Sequence, residues 1–254
     1  IAVFSAYSLH YVGGVKGGDI SADYYGMYCT EMARLLDAQR LDPPFVAMMA
    51  NGTSGDINSI NFREPRPSLP PYGKMRMIAE DLASKVHAAL AKAEYRGDVT
   101  LGARYREPVL GRRPVTAEQL AWAKQKLAEA EAAPKSDKPA KADLPTIYAG
   151  RTMRLAASPE TVPVALQIFR IGPVCIGTMP NEVFCEIGLE FKKRSPIQPA
   201  FLLSLSHGYL GYLPTPRHFP LGGYETWIGT NQLEPEASVK MLDALMEMAA
   251  EVKQ

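Results

Sequence analysis

Short apolar runs alternate along the chain with longer segments that repeat apolar residues at helical spacing, and this alternation restricts the possible folds most. Ile1–Tyr7 and Phe45–Ala50 are typical of buried strands, and we expect the second to be covered on both faces. Lys74–Glu94 repeats apolar residues every four positions, which predicts an amphipathic helix. Alternating strands and helices indicate an α/β fold, a mixed sheet with helices packed on it, in one main domain over residues 1–254.

Local signals place the remaining elements. Thr116–Gln119 has the form of a capping box, and Ser21 or Asp23 is expected to cap the first helix. Gly172-Pro173 separates two strands that read as a hairpin or as neighbours. Further helices are predicted at 24–40, 116–132, 184–193 and 235–252, and further strands at 99–109, 162–171, 174–179 and 201–206.

Charge and composition exclude several classes of function. The 28 basic and 27 acidic residues leave a net charge of +1, without the basic block that follows a phosphate backbone, so we expect no nucleic-acid partner. No apolar run approaches the roughly 18 residues of a transmembrane helix. The cysteines Cys29, Cys175 and Cys185 match neither a zinc ribbon nor a disulfide framework, and we expect them to be buried apolar residues.

Two stretches bear on domain organisation. The sequence opens directly on a strand-like run at Ile1, without a preceding turn or cap, and we therefore expect it to begin inside a domain. Residues 134–145 are rich in Lys, Ala, Pro and Asp. Because apolar segments resume beyond them, they are predicted to form an exposed polar excursion rather than a domain boundary.

Polar residues collect where the predicted strands end, which is where α/β sheets place their sites. Four junctions stand out in the sequence: residues 8–11, 51–61, 179–182 and 206–212. Each alone has a structural explanation, because a single histidine at a strand end is more often a hydrogen-bonded structural residue than a metal ligand. Their joint occurrence favours a functional site.

In this order the four segments resemble the neutral, non-lysosomal ceramidases, zinc amidohydrolases that cleave the fatty-acyl amide of ceramide. Ser5-Ala-Tyr-Ser-Leu-His10 and Asp23-Tyr-Tyr-Gly26 are similar to that family's Phe-Ala-x-His and Ser-Asp-x-x-Gly. Met179-Pro-Asn-Glu182 is similar to its Pro-Gly-Glu. Tyr209-Leu-Gly-Tyr212-Leu-Pro-Thr215 resembles its Tyr-x-x-Tyr-x-Thr-Thr, with a further tyrosine, Tyr224, twelve residues after Tyr212.

The resemblance implies a zinc cofactor held by His10, Glu182 and Tyr212, with Tyr224 contacting the substrate or the oxyanion. We also expect Asp56 and His207 to contact the substrate. The family's other zinc histidine and a substrate-binding arginine lie upstream of the strand that begins this sequence.

The nucleophile position departs from the family. Its Gly-Asp-Val-Ser-Pro-Asn corresponds to residues 55–60 here, so that Asn58 occupies the serine position. An amide cannot attack a carbonyl as an alkoxide does, and a one-residue slip would offer Ser59 instead. A third route is direct attack by zinc-activated water, with Asn58 donating to the oxyanion, and we favour it.

The sequence therefore predicts a zinc-dependent hydrolase that cleaves the N-acyl amide of a small amphiphilic substrate, N-acylsphingosine or a related amide or ester. The resemblance places such an enzyme in sphingolipid metabolism and in a secreted or periplasmic location. One alternative is a catalytically lapsed module that binds a lipid or a glycan. Another is a structural protein without a metal.

Overall fold

The computed structural model of the protein describes residues 1–65, 68–133 and 143–253. The chain divides into two units, Ile1–Thr100 and Leu101–Gln254, and each is described by itself. The predicted fold class is confirmed, because both units pack helices on sheets and the sheets contain parallel and antiparallel strands. No helix among the described residues is long and apolar enough to cross a membrane.

The first unit consists of β1 (Ala2–Tyr7), α1 (Asp23–Leu35), β2 (Val46–Asn51) and α2 (Gly73–Leu90). β1 and β2 are parallel, so both lead into loops at the same edge. Both predicted strands and both predicted helices are therefore confirmed. The first helix ends five residues before its predicted end, where residue 37 takes a left-handed conformation with φ 49°.

The core of this unit lies between the two helices. Tyr24, Tyr28 and Met32 of α1 are fully buried, as is Met75 of α2. Leu9, two residues after β1, accepts hydrogen bonds at its carbonyl oxygen from two tyrosine hydroxyls of α1, at 2.9 and 3.2 Å. This contact fixes the start of the loop that carries residue 10.

Two local predictions for the first unit are wrong. β2 is not covered on both faces, because Val46 and Met48 are 48% and 42% exposed while their neighbours along the strand are partly buried. The N-cap of α1 is Ala22, without a side-chain hydrogen bond. Asp23 instead accepts from three backbone N–H groups, two in the preceding glycine-rich turn and one in its own helix, and Ser21 accepts from the Asp23 N–H at 3.0 Å.

The second unit contains twelve named elements. In chain order they are β3 (Leu101–Arg106), β4 (Val109–Gly111), α3 (Ala117–Ala132), α4 (Leu144–Ala156), β5 (Thr161–Pro163), β6 (Leu166–Ile171), β7 (Val174–Thr178), β8 (Glu182–Val183), α5 (Cys185–Arg194), β9 (Ala200–Leu203), β10 (Tyr212–Leu213) and α6 (Ala237–Lys253). Two 3₁₀ turns, Pro216–His218 and Tyr224–Thr226, lie between β10 and α6.

Four strands form the main sheet of this unit in the order β3-β6-β7-β9. β3, β6 and β7 are successively antiparallel, and β9 runs parallel to β7. The predicted hairpin at Gly172-Pro173 is therefore confirmed. Gly177 is required at its place in β7, because a Cβ there would lie 2.9 Å from side-chain atoms of Leu202 and Phe191.

The core packs α5 and α6 on this sheet. Leu166 and Ile168 of β6 are fully buried together with Phe191 of α5 and Met241 and Leu245 of α6. The predicted capping box at the start of α3 is confirmed, since the Thr116 side chain accepts from residue 119 and the residue 119 side chain accepts in return.

Helix α4 was not predicted. Its sequence signals are Asp143, whose side chain accepts from the Thr146 N–H at 2.9 Å, and Pro145 in the first turn. Most of the predicted polar excursion, residues 134–142, lies outside the described residues. Of the rest, residue 143 is the cap of α4 and residues 144 and 145 begin it.

Candidate functional site

The main sheet of the second unit brings two of the predicted junctions to one edge. β7 and β9 are parallel, so the loops that follow them start side by side. The loops are tied together by backbone hydrogen bonds, including Ser206 N–H to Met179 O at 3.0 Å and Leu210 N–H to Pro180 O at 2.8 Å. The residues predicted in these two loops are thereby brought together.

A short parallel ladder then sets the positions of Glu182 and Tyr212. β8 pairs with β10 in a register that places these two residues directly opposite each other. The Asn181 side chain is fully buried and stabilises the ladder, because its Nδ2 donates to the carbonyl oxygens of Leu210 and Gly211, both at 3.2 Å. Side chains at paired positions of neighbouring strands point to the same side, so the carboxylate and the phenol meet.

Gly211 allows the approach that this ladder needs. It has φ +76°, and a Cβ there would lie 2.2 Å from the Thr230 carbonyl oxygen. That oxygen accepts the Tyr212 N–H at 3.0 Å, and Asn231 donates its Nδ2 to the Tyr212 carbonyl oxygen at 3.1 Å. The backbone of Tyr212 is therefore held from both sides.

Two tyrosine hydroxyls hydrogen-bond to the Glu182 carboxylate and a third bonds to one of them, and we call these four residues the carboxylate–tyrosine cluster. Tyr209 donates its hydroxyl to Glu182 Oε1 at 2.8 Å, and the Tyr212 hydroxyl also hydrogen-bonds to Glu182. The hydroxyls of Tyr212 and Tyr224 lie 2.9 Å apart. Tyr212 is 7% exposed, whereas Tyr209 and Tyr224 are 57% and 44% exposed, so the cluster opens to the surface on the side of the latter two.

Electrostatics keep these phenols protonated in the absence of a cation. Burial, reinforced by the hydrogen bond to Glu182, raises the pKa of Tyr209 to about 12. Burial, then the hydroxyl of Tyr224 and then Glu182, raises the pKa of Tyr212 further. Burial also raises the pKa of Tyr224. A phenolate ligand at Tyr212 would therefore require a bound cation to stabilise its charge.

The donor chemistry of the cluster fits a metal ion in part. A carboxylate and phenolic oxygens are hard ligands, and the buried Oδ1 of the neighbouring Asn181 has no hydrogen-bond partner among the described residues. A catalytic zinc site adds histidine nitrogen to such oxygens. Nowhere in the described parts of the chain do three or more His, Cys, Asp or Glu residues group as metal ligands would.

His10 belongs to the first unit and is oriented by a backbone carbonyl. Its ring Nδ1 lies 2.7 Å from the Ser54 carbonyl oxygen, and its backbone N–H donates to the Ile57 carbonyl oxygen at 3.2 Å. Because a carbonyl oxygen only accepts, Nδ1 carries the proton and Nε2 is the basic nitrogen of the neutral ring. This is the orientation typical of a metal-ligating histidine.

Asn58 and Ser59 lie together in the first unit, on the wall of a cavity of about 470 Å³. Lys74 reaches Ser59 from α2, donating its Nζ to the carbonyl oxygen, with the Nζ 3.3 Å from Oγ. Sequence reasoning missed this lysine, because fifteen residues separate the pair. Asp56, in the same loop, is exposed.

The histidines of the second unit lie in different surroundings. His207 is exposed, and its ring contacts Tyr105 of β3 edge-on at 5.9 Å. His218 hydrogen-bonds through Nδ1 to Thr215 Oγ1 at 2.8 Å and packs on Phe184. Sequence reasoning gave Tyr209 no role, although its three-residue spacing from Tyr212 was the available signal.

The fold is similar to those of two solved structures. One is a neutral ceramidase from Pseudomonas aeruginosa, with a TM-score of 0.63 and 18% identity over 99% of this chain and 44% of that one. The other is a ceramidase complexed with C2, with a TM-score of 0.64 and 16% identity over 99% of this chain and 45% of that one. This chain thus spans less than half of either structure. No protein-family model and no curated protein sequence matches it.

Proposed function

We propose that this protein is a zinc-dependent hydrolase that cleaves an N-acyl amide bond of an amphiphilic substrate. The observation that carries the proposal is the pairing of Glu182 with Tyr212 in the β8–β10 ladder, with a second tyrosine, Tyr224, hydrogen-bonded to Tyr212. Its likeness in fold to two ceramidases supports the choice of an amide substrate of the N-acylsphingosine type.

In this proposal Glu182, Tyr212 and His10 hold the metal. Glu182 supplies a carboxylate oxygen, Tyr212 a phenolate oxygen and His10 its Nε2, with Nδ1–H bonded to the Ser54 carbonyl oxygen. Bound zinc lowers the pKa of a water ligand to about 7 and polarises a carbonyl group. Tyr224, half-exposed beside Tyr212, donates its hydroxyl to the oxygen of the scissile carbonyl as negative charge develops there.

Asn58 and Ser59 allow two routes for nucleophilic attack on the acyl carbon. In the favoured route the Asn58 carboxamide donates to the oxyanion, while water is the attacking group. In the other route Ser59 Oγ attacks the carbonyl carbon, the C–N bond breaks, and the serine proton passes to the leaving amine; water then hydrolyses the acyl–serine ester. Lys74, whose Nζ lies 3.3 Å from Ser59 Oγ, positions the hydroxyl in this route.

Metal content tests the ligand set. Glu182→Gln, Tyr212→Phe and His10→Ala are each expected to remove stoichiometric zinc measured by elemental analysis after dialysis. Glu186→Gln serves as the control, because that carboxylate lies on α5 in an exposed ion pair with Arg217. Zinc content unchanged in all three variants would overturn the ligand assignment.

Turnover of a fluorescent N-acylsphingosine tests the reaction. If Asn58→Ala abolishes hydrolysis while Ser59→Ala and Lys74→Met retain it, the water route stands. The reverse pattern assigns the nucleophile to Ser59 and the positioning of its hydroxyl to Lys74. Zinc bound at full stoichiometry, with no hydrolysis of any N-acyl amide tested, would refute the hydrolase proposal and favour a lapsed binding module.

A further inference from the structure

Two cavities lie along helix α4 of the second unit, beside the carboxylate–tyrosine cluster. The first, of about 340 Å³, is polar, and its wall includes Arg151, Arg154 and Gln232. The second, of about 360 Å³, is apolar, and its wall includes Trp122 and Trp227. Each volume falls at the lower end of the roughly 300–1,000 Å³ that is typical of small-molecule sites.

The two cavities are lined by the same two segments of the chain. α4 borders the apolar cavity through Leu144, Tyr148 and Thr152, and it borders the polar cavity through the two arginines. The segment that packs against α4 shows the same order, since Ile228 lines the apolar cavity and Gly229 the polar one. Both cavities are therefore built on the same two segments, and neighbouring residues of each segment line one cavity or the other.

Close packing holds this junction in place. The Tyr148 ring lies 4.9 Å from the Trp227 ring on one side and 4.9 Å from the Arg151 guanidinium carbon on the other. Gly229 has φ +82°, and a Cβ there would lie 2.5 Å from the Arg151 Cβ. The glycine thus lets its segment approach the helix closely enough to form both walls.

The polar cavity carries positive charge without a matching anion. Among the described residues, no carboxylate lies within ion-pairing distance of Arg151 or Arg154. Arg151 donates to Thr230 Oγ1 at 3.1 Å, which orients its guanidinium group and uses one of its five donors. Two guanidinium groups at one cavity are suited to a carboxylate, which accepts paired N–H donors.

We propose that these cavities form a binding site for a long-chain carboxylate, with the acid group at Arg151 and Arg154 and the alkyl chain between Trp122, Trp227 and Leu144. The two guanidinium groups, which form no ion pair with the described residues, select an anion, and the aromatic and aliphatic wall selects a chain. The polar cavity adjoins the carboxylate–tyrosine cluster through Tyr209, which also lines it, but occupancy of the site requires neither zinc nor turnover.

The tryptophans provide the measurement, because the chain has 2 and both line the apolar cavity. Titration with laurate below its micelle concentration is expected to change tryptophan emission in a saturable way. Dodecanol, with the same chain and no charge, is expected to bind at least about tenfold more weakly, as loss of a charge-assisted hydrogen bond implies. Each methylene removed from laurate should weaken binding about three- to fourfold. Acetate should leave the emission unchanged at the same concentrations.

Charge-removing variants locate the acid group. Arg154→Gln and Arg151→Gln are each expected to weaken laurate binding about tenfold or more while leaving dodecanol binding unchanged. Arg194→Gln is the matched control, because this exposed arginine pairs with Asp243 on α6 and does not line either cavity. Circular dichroism tests whether each variant is folded. Arg154 is exposed, so we expect Arg154→Gln to fold even if Arg151→Gln does not.

Three results would overturn the proposal. The first is equal affinity for laurate and dodecanol. The second is an effect of the α4 variants no larger than that of Arg194→Gln. The third is no saturable binding of laurate, by emission or by equilibrium dialysis of the radiolabelled acid.

Discussion

Asn181 is predicted to stabilise the second unit through the two bonds that hold the β8–β10 ladder. Its side chain is fully buried, and its Nδ2 donates to the carbonyl oxygens of Leu210 and Gly211, both at 3.2 Å. The Gly211 oxygen also accepts the Glu182 N–H at 3.0 Å. Asn181→Ala therefore removes one hydrogen bond from each of these two oxygens, and the Gly211 oxygen keeps the bond from Glu182.

The magnitude follows from these partners. Each of the two lost hydrogen bonds contributes about 0.5–1.5 kcal/mol. Against this, the Oδ1 of Asn181 has no partner among the described residues, and removing it recovers roughly 1 kcal/mol of desolvation. The expected net loss in the free energy of unfolding is about 1 kcal/mol, or a factor of about 5 in the folding equilibrium.

Urea denaturation followed by tryptophan emission is the assay, because both tryptophans lie in the same unit as Asn181. Ser238→Ala is the matched control, since its buried Oγ makes no hydrogen bond to the described residues. Removing that hydroxyl should leave the free energy of unfolding unchanged or raise it. The reasoning is refuted if Asn181→Ala stays within about 0.5 kcal/mol of the wild type, or if both variants destabilise equally.

Three further predictions concern local structure and pH. Gly211→Ala should cost more than about 3 kcal/mol in the free energy of unfolding, because its Cβ would lie 2.2 Å from a carbonyl oxygen. Gly222→Ala, with φ +79° but open space, should cost only about 1–2 kcal/mol, and equal losses would contradict the steric argument. Thr116→Ala should lower the free energy of unfolding by about 1 kcal/mol, because it removes the capping box. An unchanged free energy of unfolding in urea denaturation would show that the cap contributes little. The hydrogen bond from Lys240 lowers the pKa of Glu234 below its ordinary value of 4.5. The contact therefore stabilises the fold fully above that ordinary pKa, and the stabilisation is lost as the pH falls through the lowered pKa of the folded state. The stability gap between wild type and Glu234→Gln should therefore be largest near neutral pH and close in acid, and a gap that does not vary with pH would contradict this assignment.

The sequence by itself determined the features that depend on near neighbours. The four-residue spacing in residues 74–94 fixed helix α2, the Thr116 capping box fixed the start of α3, and Gly172-Pro173 fixed the β6–β7 hairpin. The positions of Glu182 and Tyr212 just beyond apolar strands also marked them as site candidates. Each of these signals acts over a few residues, where steric and hydrogen-bonding preferences operate without the rest of the chain.

The tertiary structure decided what depends on pairing between distant segments. The parallel course of β7 and β9 and the register of the β8–β10 ladder place Glu182 opposite Tyr212, and no local pattern specifies a register across thirty residues. The exposure of Val46 likewise depends on what packs against its strand, because an apolar run looks the same whether one face is covered or both. Lys74 beside Ser59 is another contact of this kind, made by the packing of a helix against a loop and not by either segment alone.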